Sequence, residues 1–174
     1  MSTGQTTDAR FPDLGHLGAV PYHLSFATRD LEEAMDAFGA LMGLRWSPVM
    51  DDMAPGLGPC DTTGWACRRV VSAGGPLHVE LSEGSLGSTW HTDARSELHH
   101  LAYWCDDLEG AIDALVADGW SMDLTLLDDA GRPTEFAYVT RDGWPRLELV
   151  DAKRTSAFLE RHEHAGAARP RPQP

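Results

Sequence analysis

The sequence is poor in basic residues and in long apolar segments, and each shortage excludes a class of protein. Only 14 of its 174 residues are Lys or Arg, against 27 Asp or Glu, and the formal net charge is −13. Nucleic acids and anionic membrane surfaces need clustered basic residues, so we expect neither as a partner. No apolar run approaches the roughly 20 residues that span a membrane.

Cysteine is also scarce. Cys60, Cys67 and Cys105 are far apart, and no CxxC pair occurs. The sequence therefore indicates neither a zinc ribbon nor a disulfide framework, and it favours a reducing compartment. Residues 1–10 are polar and lack the apolar core of a signal peptide, so we expect a cytoplasmic protein.

The clearest feature that is present is an internal repeat. His23-Leu24 is followed by Asp30-Leu31-Glu32, and His100-Leu101 is followed by Asp107-Leu108-Glu109. Each residue of the second copy lies 77 positions after its counterpart. Two copies are too few for a solenoid, so the repeat predicts a duplicated module with a site between the halves.

Each copy has the pattern strand, helix, strand, strand, strand. The predicted strands of the first copy are 20–28, 44–50, 64–72 and 77–82, and its helix is 31–41. Those of the second are 98–105, 120–127, 134–140 and 145–151, and its helix is 107–118. This order predicts an α+β fold in which two tandem βαβββ modules form a curled mixed sheet, a cup, with the helices on its outer face.

The same reading divides the chain into five segments. They are a flexible N-terminal segment (1–19), the first module (20–83), a connecting loop (84–97), the second module (98–151), and a short helix with a disordered tail (152–174).

Four polar side chains occupy matching places in the two copies. His23 and His100 lie on the first strands, and Glu80 and Glu148 lie on the last strands. Strand alternation directs all four into the cup. Two imidazoles and two carboxylates suit one divalent transition metal (Zn, Ni, Co, Mn or Fe), whereas Ca and Mg prefer oxygen ligands alone. His99 is an alternative to His100, but the repeat alignment favours His100.

Five further side chains are candidate substrate contacts, each with a structural role as the alternative. Trp104 is a candidate apolar wall, and His78 a candidate acid or base. Ser25 shares their strand face. Arg146 is placed to pair with a substrate carboxylate, and Trp90 of the connecting loop to cover the cup.

With these residues the sequence resembles the vicinal oxygen chelate superfamily, which includes glyoxalase I, methylmalonyl-CoA epimerase, fosfomycin-resistance proteins, extradiol dioxygenases and bleomycin-binding proteins. The resemblance covers about Tyr22 to Asp151. It rests on His23 with Asp30-Leu31-Glu32, Val79-Glu80-Leu81, His99-His100-Leu101 with Asp106-Asp107-Leu108, and Asp142-Gly143 before Leu147-Glu148-Leu149. It implies paired modules around a metal that a substrate binds through one or two oxygens.

Within the superfamily the nearest types are glyoxalase I and methylmalonyl-CoA epimerase. Glu80 resembles glyoxalase I, and the His99-His100 pair resembles the epimerases. Ala37-Phe38-Gly39 departs from glyoxalase I, which usually has Phe-Tyr there. A second carboxylate departs from the extradiol dioxygenases, and the full ligand set departs from the bleomycin-binding proteins.

Three functions remain open from the sequence. The first is a metal-dependent isomerase, epimerase or lyase that acts on a small oxygenated, partly apolar substrate, with Glu80 or Glu148 as a base whose pKa burial raises. The second is an Fe(II)-dependent, extradiol-type oxygenase. The third is a metal-free binding or resistance protein for a hydrophobic compound. A homodimer is compatible with each, because the superfamily builds the cup within one chain or across two.

Overall fold

The chain folds into two βαβββ modules followed by a third helix. The structure is a computed structural model that describes residues 14–54, 65–74 and 76–163. The first module comprises β1 (Val20–Ala27), α1 (Leu31–Met42), β2 (Met50–Ala54), β3 (Trp65–Val71) and β4 (His78–Gly84). The second comprises β5 (Glu97–Cys105), α2 (Leu108–Ala117), β6 (Ser121–Leu127), β7 (Pro133–Thr140) and β8 (Leu147–Asp151), and α3 (Thr155–Glu163) follows it.

The eight strands form one curled mixed sheet in the order β2-β3-β4-β1-β5-β8-β7-β6. Within each module the first and last strands are parallel neighbours, β1 with β4 and β5 with β8. The modules join through the antiparallel pair β1 and β5 at the centre of the sheet. The predicted α+β cup of two modules is therefore confirmed, and a single chain completes it.

The first two helices cover one face of this sheet and leave the other for the cup. Each begins after an aspartate N-cap: Asp30 accepts from the backbone N–H of Glu33 at 2.8 Å, and Asp107 accepts from that of Gly110 at 3.0 Å. The buried residues of α1 are Leu31 and Ala34, and those of α2 are Leu108, Ala111, Ile112 and Leu115. The longest described helix has 12 residues. None of the described helices has both the length and the apolar character of a membrane span.

The strand predicted at 44–50 is wrong, because β2 runs instead from Met50 to Ala54. Leu44 and Trp46 pack against the core beneath α1, and the Trp46 indole N–H donates to the carbonyl of Met35 at 3.0 Å. The apolar residues that suggested a strand therefore serve helix packing, which overrides the local strand pattern.

Two β-bulges interrupt the pairing of β1 with β5, and the repeat relates them. The extra residue in β1 is Tyr22, directly before His23, and the extra residue in β5 is His99, directly before His100. A bulge redirects a side chain that strict alternation would turn away. Each candidate histidine ligand therefore has a bulged neighbour whose side chain lies close to the cup.

The ends of the described chain also contain structure. Leu14–Leu17 forms a short 3-10 helix within the segment that the sequence predicts as flexible, and Leu14 is buried. Residues 1–13 and 164–174 lie outside the described residues. The predicted C-terminal helix begins at Thr155, after a 3-10 turn at Ala152–Arg154.

Candidate metal centre

The register of the central strands sets the four predicted ligands in two rows on the cup face. In each row one small residue separates a histidine from a glutamate, and the rows are His23–Ala102–Glu148 and Glu80–Ser25–His100. Ala102 is 1% exposed and Ser25 is 0% exposed. Because both middle residues are small, the longer side chains beside them can meet above the sheet.

Three of the four predicted ligands converge. His23 Nε2 lies 2.8 Å from His100 Nε2, and Glu148 Oε2 lies 3.4 Å from the first nitrogen and 3.3 Å from the second. Ligand atoms about 2.0–2.2 Å from one ion lie roughly 3 Å apart, so these three fit around a single metal. The set of two histidines and one carboxylate leaves coordination positions open.

Glu80 lies beside this cluster and is not part of it. Its Oε1 accepts a hydrogen bond from the Ser25 hydroxyl at 2.9 Å, and its Oε2 lies 3.7 Å from Nη1 of Arg69 on β3. The residue is 4% exposed, whereas the side chain of Arg69 is 36% exposed. The assignment of Glu80 as a fourth ligand stays a prediction.

The protonation states suit a metal centre. Burial lowers the pKa of His23 to about 4. Burial raises the pKa of Glu148, but the adjacent imidazoles of His100 and His23 and the Arg69 guanidinium outweigh it and hold that pKa at about 2. Burial also raises the pKa of Glu80, but His23 and Arg69 outweigh it and the net shift is downward. The expectation that burial raises the pKa of the base is therefore wrong in its net direction, and both carboxylates are ionised at neutral pH.

The two histidines differ in what supports their second ring nitrogen. Nδ1 of His100 lies 2.7 Å from Nδ1 of the bulged His99, whose Nε2 lies 2.8 Å from the carbonyl oxygen of Thr89. His23 Nδ1 is buried and has no hydrogen-bond partner among the described residues. Of the two histidines, only His100 in the second module therefore has a described hydrogen-bond partner at its Nδ1.

An aromatic wall lines the cup beside the cluster. Tyr22 donates its hydroxyl to Glu148 Oε2 at 3.4 Å, and its ring stacks on Trp104 with centroids 3.8 Å apart. Phe158 of α3 packs edge-on against both rings, at 5.3 Å and 5.5 Å. The ring of His78 lies 5.5 Å from Phe158. Trp104 and His78 thus both lie against Phe158 in this wall, and their predicted contacts with a substrate stay predictions.

The other three candidate substrate contacts are held by protein groups. The Ser25 hydroxyl bonds to Glu80. Arg146 donates to Thr89 Oγ1 at 3.0 Å and pairs with Asp123 at 2.9 Å. Trp90 is buried, and its indole N–H donates to the Tyr138 hydroxyl at 3.1 Å. Their predicted roles toward a substrate are untested.

Three cup residues escaped the sequence reasoning, namely Tyr22, Arg69 and Phe158, and His99 was considered only as an alternative to His100. Tyr22 and His99 lie on bulges, so strict alternation turned them outward. The repeat held a signal, because it sets an aromatic ring with a polar group directly before each candidate histidine ligand. Phe158 lies in the predicted C-terminal helix, outside both modules, and nothing in the pattern of β3 singles out Arg69.

Comparisons with known proteins agree with this architecture. The model of the Glyoxalase/Bleomycin resistance protein/Dioxygenase superfamily matches residues 22–138. No curated protein matches the chain in sequence.

Three solved structures illustrate the likeness of the fold. A mutant of 4-hydroxymandelate synthase from Streptomyces coelicolor has a TM-score of 0.55 and 21% identity over 77% of this chain, which spans only 38% of that protein. Methylmalonyl-CoA epimerase from Mycobacterium tuberculosis has a TM-score of 0.55 and 17% identity, covering 79% of this chain and 91% of that one. A hypothetical protein from Bacillus halodurans has a TM-score of 0.57 and 15% identity, covering 76% and 94%. At such identities the likeness concerns the fold alone.

Proposed function

Because the chain belongs to the glyoxalase/bleomycin resistance protein/dioxygenase superfamily, we propose that it is a divalent-metal-dependent isomerase, epimerase or lyase acting on a small oxygenated, partly apolar substrate. The observation that carries this proposal is the difference between its two buried carboxylates. Glu148 joins the two histidines, whereas Glu80 lies beside them, where it accepts from the Ser25 hydroxyl and faces Arg69. The site therefore offers a three-residue metal set and a separate base.

Each group has a defined task in this proposal. His23, His100 and Glu148 would hold the ion, which when bound would supply Lewis-acid stabilisation of negative charge on a substrate oxygen. Glu80 would take a proton from the carbon adjacent to the carbonyl carbon, so that the electron pair of the broken C–H bond forms a C=C bond and the C=O π pair moves onto the oxygen. Return of the proton to either face of the carbon, or to its neighbour, gives epimerisation or isomerisation.

Two neighbours prepare Glu80 for this task. The Ser25 hydroxyl donates to one oxygen of the Glu80 carboxylate at 2.9 Å and so holds that carboxylate away from the cluster. Arg69 stabilises the ionised form from 3.7 Å. The stacked rings of Tyr22 and Trp104 give the cup an apolar wall against which a partly apolar substrate packs.

The test compares two isosteric substitutions. Metal content is measured on protein purified without added metal, and base activity is measured by NMR as deuterium uptake from D₂O into methylmalonyl-CoA and small 2-oxo acids. We expect Glu80→Gln to keep the metal and lose deuterium uptake, and Glu148→Gln to lose both. Glu83→Gln is the matched control, since Glu83 lies on the same strand but pairs with Arg68.

The outcomes separate the proposal from its rivals. Deuterium uptake that survives in Glu80→Gln contradicts the role of that residue as the base. A wild-type protein that never binds stoichiometric metal contradicts the enzyme and favours a binding protein for hydrophobic compounds.

A second candidate is the Fe(II)-dependent oxygenase, and the three converging ligand atoms favour it. Two histidines and one carboxylate on one face of an ion form the set typical of non-haem iron oxygenases. Oxygen-electrode measurements on iron-loaded protein with catechols distinguish this candidate, because it alone consumes O₂. The cytoplasmic location and a homodimer remain predictions, and a single chain already contributes all three ligands.

A further inference from the structure

The bulge in β5 brings two imidazole nitrogens into direct contact. Nδ1 of His99 lies 2.7 Å from Nδ1 of His100. At this distance one nitrogen must donate its hydrogen and the other must accept it, because a neutral imidazole has one of each. The positions of the hydrogens on the two rings are therefore linked.

The neighbours of His99 define two arrangements of these hydrogens. In the first, His100 Nδ1–H donates to His99, and His99 Nε2–H donates to the Thr89 carbonyl, 2.8 Å away. In the second, His99 Nε2 accepts from Arg146 Nη1, 2.6 Å away, and His99 Nδ1–H donates to His100. The second arrangement puts a hydrogen on His100 Nε2.

Only the first arrangement leaves His100 competent to bind a metal. A nitrogen that carries a hydrogen has no lone pair to offer, and His100 Nε2 is the atom that faces His23 and Glu148. Histidine ligands commonly donate their other ring N–H to an acceptor, which fixes both the tautomer and the orientation of the ring. Here that acceptor is a second imidazole that is itself anchored to a backbone carbonyl.

We propose that His99 is a positioning residue for the metal centre. Nδ1 of His99 accepts the Nδ1 hydrogen of His100, and Nε2–H of His99 donates to the carbonyl of Thr89 in the connecting loop. Nε2 of His100 therefore keeps its lone pair, which is directed toward the cluster. Arg146 also lies against His99 Nε2, and it can donate to that nitrogen only in the second arrangement. In the first arrangement its guanidinium donates instead to Thr89 Oγ1 and Asp123. This inference rests on the metal dependence proposed above.

The first test measures zinc affinity by competition with a chelator. His99→Phe keeps an aromatic ring but removes the acceptor, and we expect affinity to fall about 10- to 100-fold. His99→Asn restores an acceptor oxygen near the position of Nδ1 and should recover most of the loss. His91→Phe is the control, since His91 lies in the same connecting loop and its Nε2 faces Asp93.

The second test reads the tautomers directly by ¹⁵N NMR of wild-type protein with labelled histidine. In the zinc-loaded protein we expect a hydrogen on Nδ1 of His100 and on Nε2 of His99. A hydrogen on Nδ1 of His99 overturns the proposal. This measurement decides the question even where a His99 variant does not fold.

The outcomes separate this inference from the one on which it rests. If wild-type protein binds no metal, the proposed function fails and the role of His99 fails with it. If wild type and His99→Phe bind zinc equally well, the role of His99 alone is overturned. If His99→Asn does not recover the zinc affinity that His99→Phe loses, the shape of the imidazole ring matters rather than its acceptor nitrogen. That result also overturns the proposed role of His99.

Discussion

The two halves of the cup share a repeat but treat their carboxylates differently. Ser25 and Ala102 occupy equivalent positions, each between a histidine and a glutamate of the sheet. The Ser25 hydroxyl bonds to Glu80, whereas Ala102 offers no such group and Glu148 reaches both histidines. A single hydroxyl group thus accompanies the change from a ligand to a separate carboxylate.

The bulges show the same divergence. The extra residue of the first half is Tyr22, which reaches across the seam to Glu148. The extra residue of the second half is His99, which stays beside His100. Equivalent backbone positions therefore support different members of the cluster, so the halves are not interchangeable.

The largest expected effect comes from removing a converging histidine. His23 and His78 are paired positions on β1 and β4, and both are buried. We expect His23→Ala to lower metal affinity more than about 100-fold, beyond the loss typical of a residue that only supports a ligand. His78→Ala should keep the metal. Equal losses in chelator competition would show that His78 belongs to the ligand set.

Acid lability comes next. Burial lowers the pKa of both His23 and His99 to about 4, so each half contributes one acid-sensitive histidine. Between pH 6.5 and 4 these histidines bind protons in the unfolded chain but stay neutral in the folded chain. The metal-free protein therefore loses stability as the pH falls through this range. We expect His23→Gln to remove about 2 kcal/mol of this loss at pH 5.

His99→Gln should flatten the same dependence to a similar extent, because the pKa of His99 is lowered to the same value. Thermal unfolding of metal-free protein at a series of pH values measures both variants. A wild-type melting temperature that does not change between pH 6.5 and 5 would contradict the burial of neutral histidines.

Substitutions that exchange Ser25 and Ala102 test whether the Ser25 hydroxyl decides which of the two carboxylates binds the metal. Ser25→Ala should release Glu80 toward the ion and strengthen metal binding, while deuterium uptake falls. Ala102→Ser should give Glu148 a competing donor and weaken binding by about tenfold, as is typical of groups that orient a ligand. If both substitutions leave affinity unchanged, the hydroxyl does not decide which carboxylate binds.

The smallest effect concerns Tyr22. Tyr22→Phe removes a long hydrogen bond to Glu148 but keeps the stacking on Trp104. We expect a loss of about 0.5–1.5 kcal/mol in unfolding free energy, the usual value of one hydrogen bond. Denaturant unfolding measures it, and Tyr103→Phe, on the neighbouring strand, is the control. A larger loss would mean that the hydroxyl has a role in the metal centre.

The sequence predicted most of the fold, because the two copies of the repeat supported each other. The element order and the cup-facing side of the four polar residues follow from patterns of period 2 and 3.6. What escaped depends on contacts between distant strands. Alternation cannot reveal a bulge, and Tyr22 and His99 each sit on one. The position of Glu80 depends on a hydroxyl from β1 and a guanidinium from β3, which no local pattern brings together.

The seam between β1 and β5 has a consequence for recombination among relatives. Each histidine ligand pairs with a small residue of the other half, His23 with Ala102 and His100 with Ser25. A chimera that exchanges an intact module would therefore separate each histidine ligand from the small neighbour that shapes its space. The unit that can be transplanted is the cross-strand pair, and a library built by exchanging such pairs should retain metal sites that module shuffling destroys.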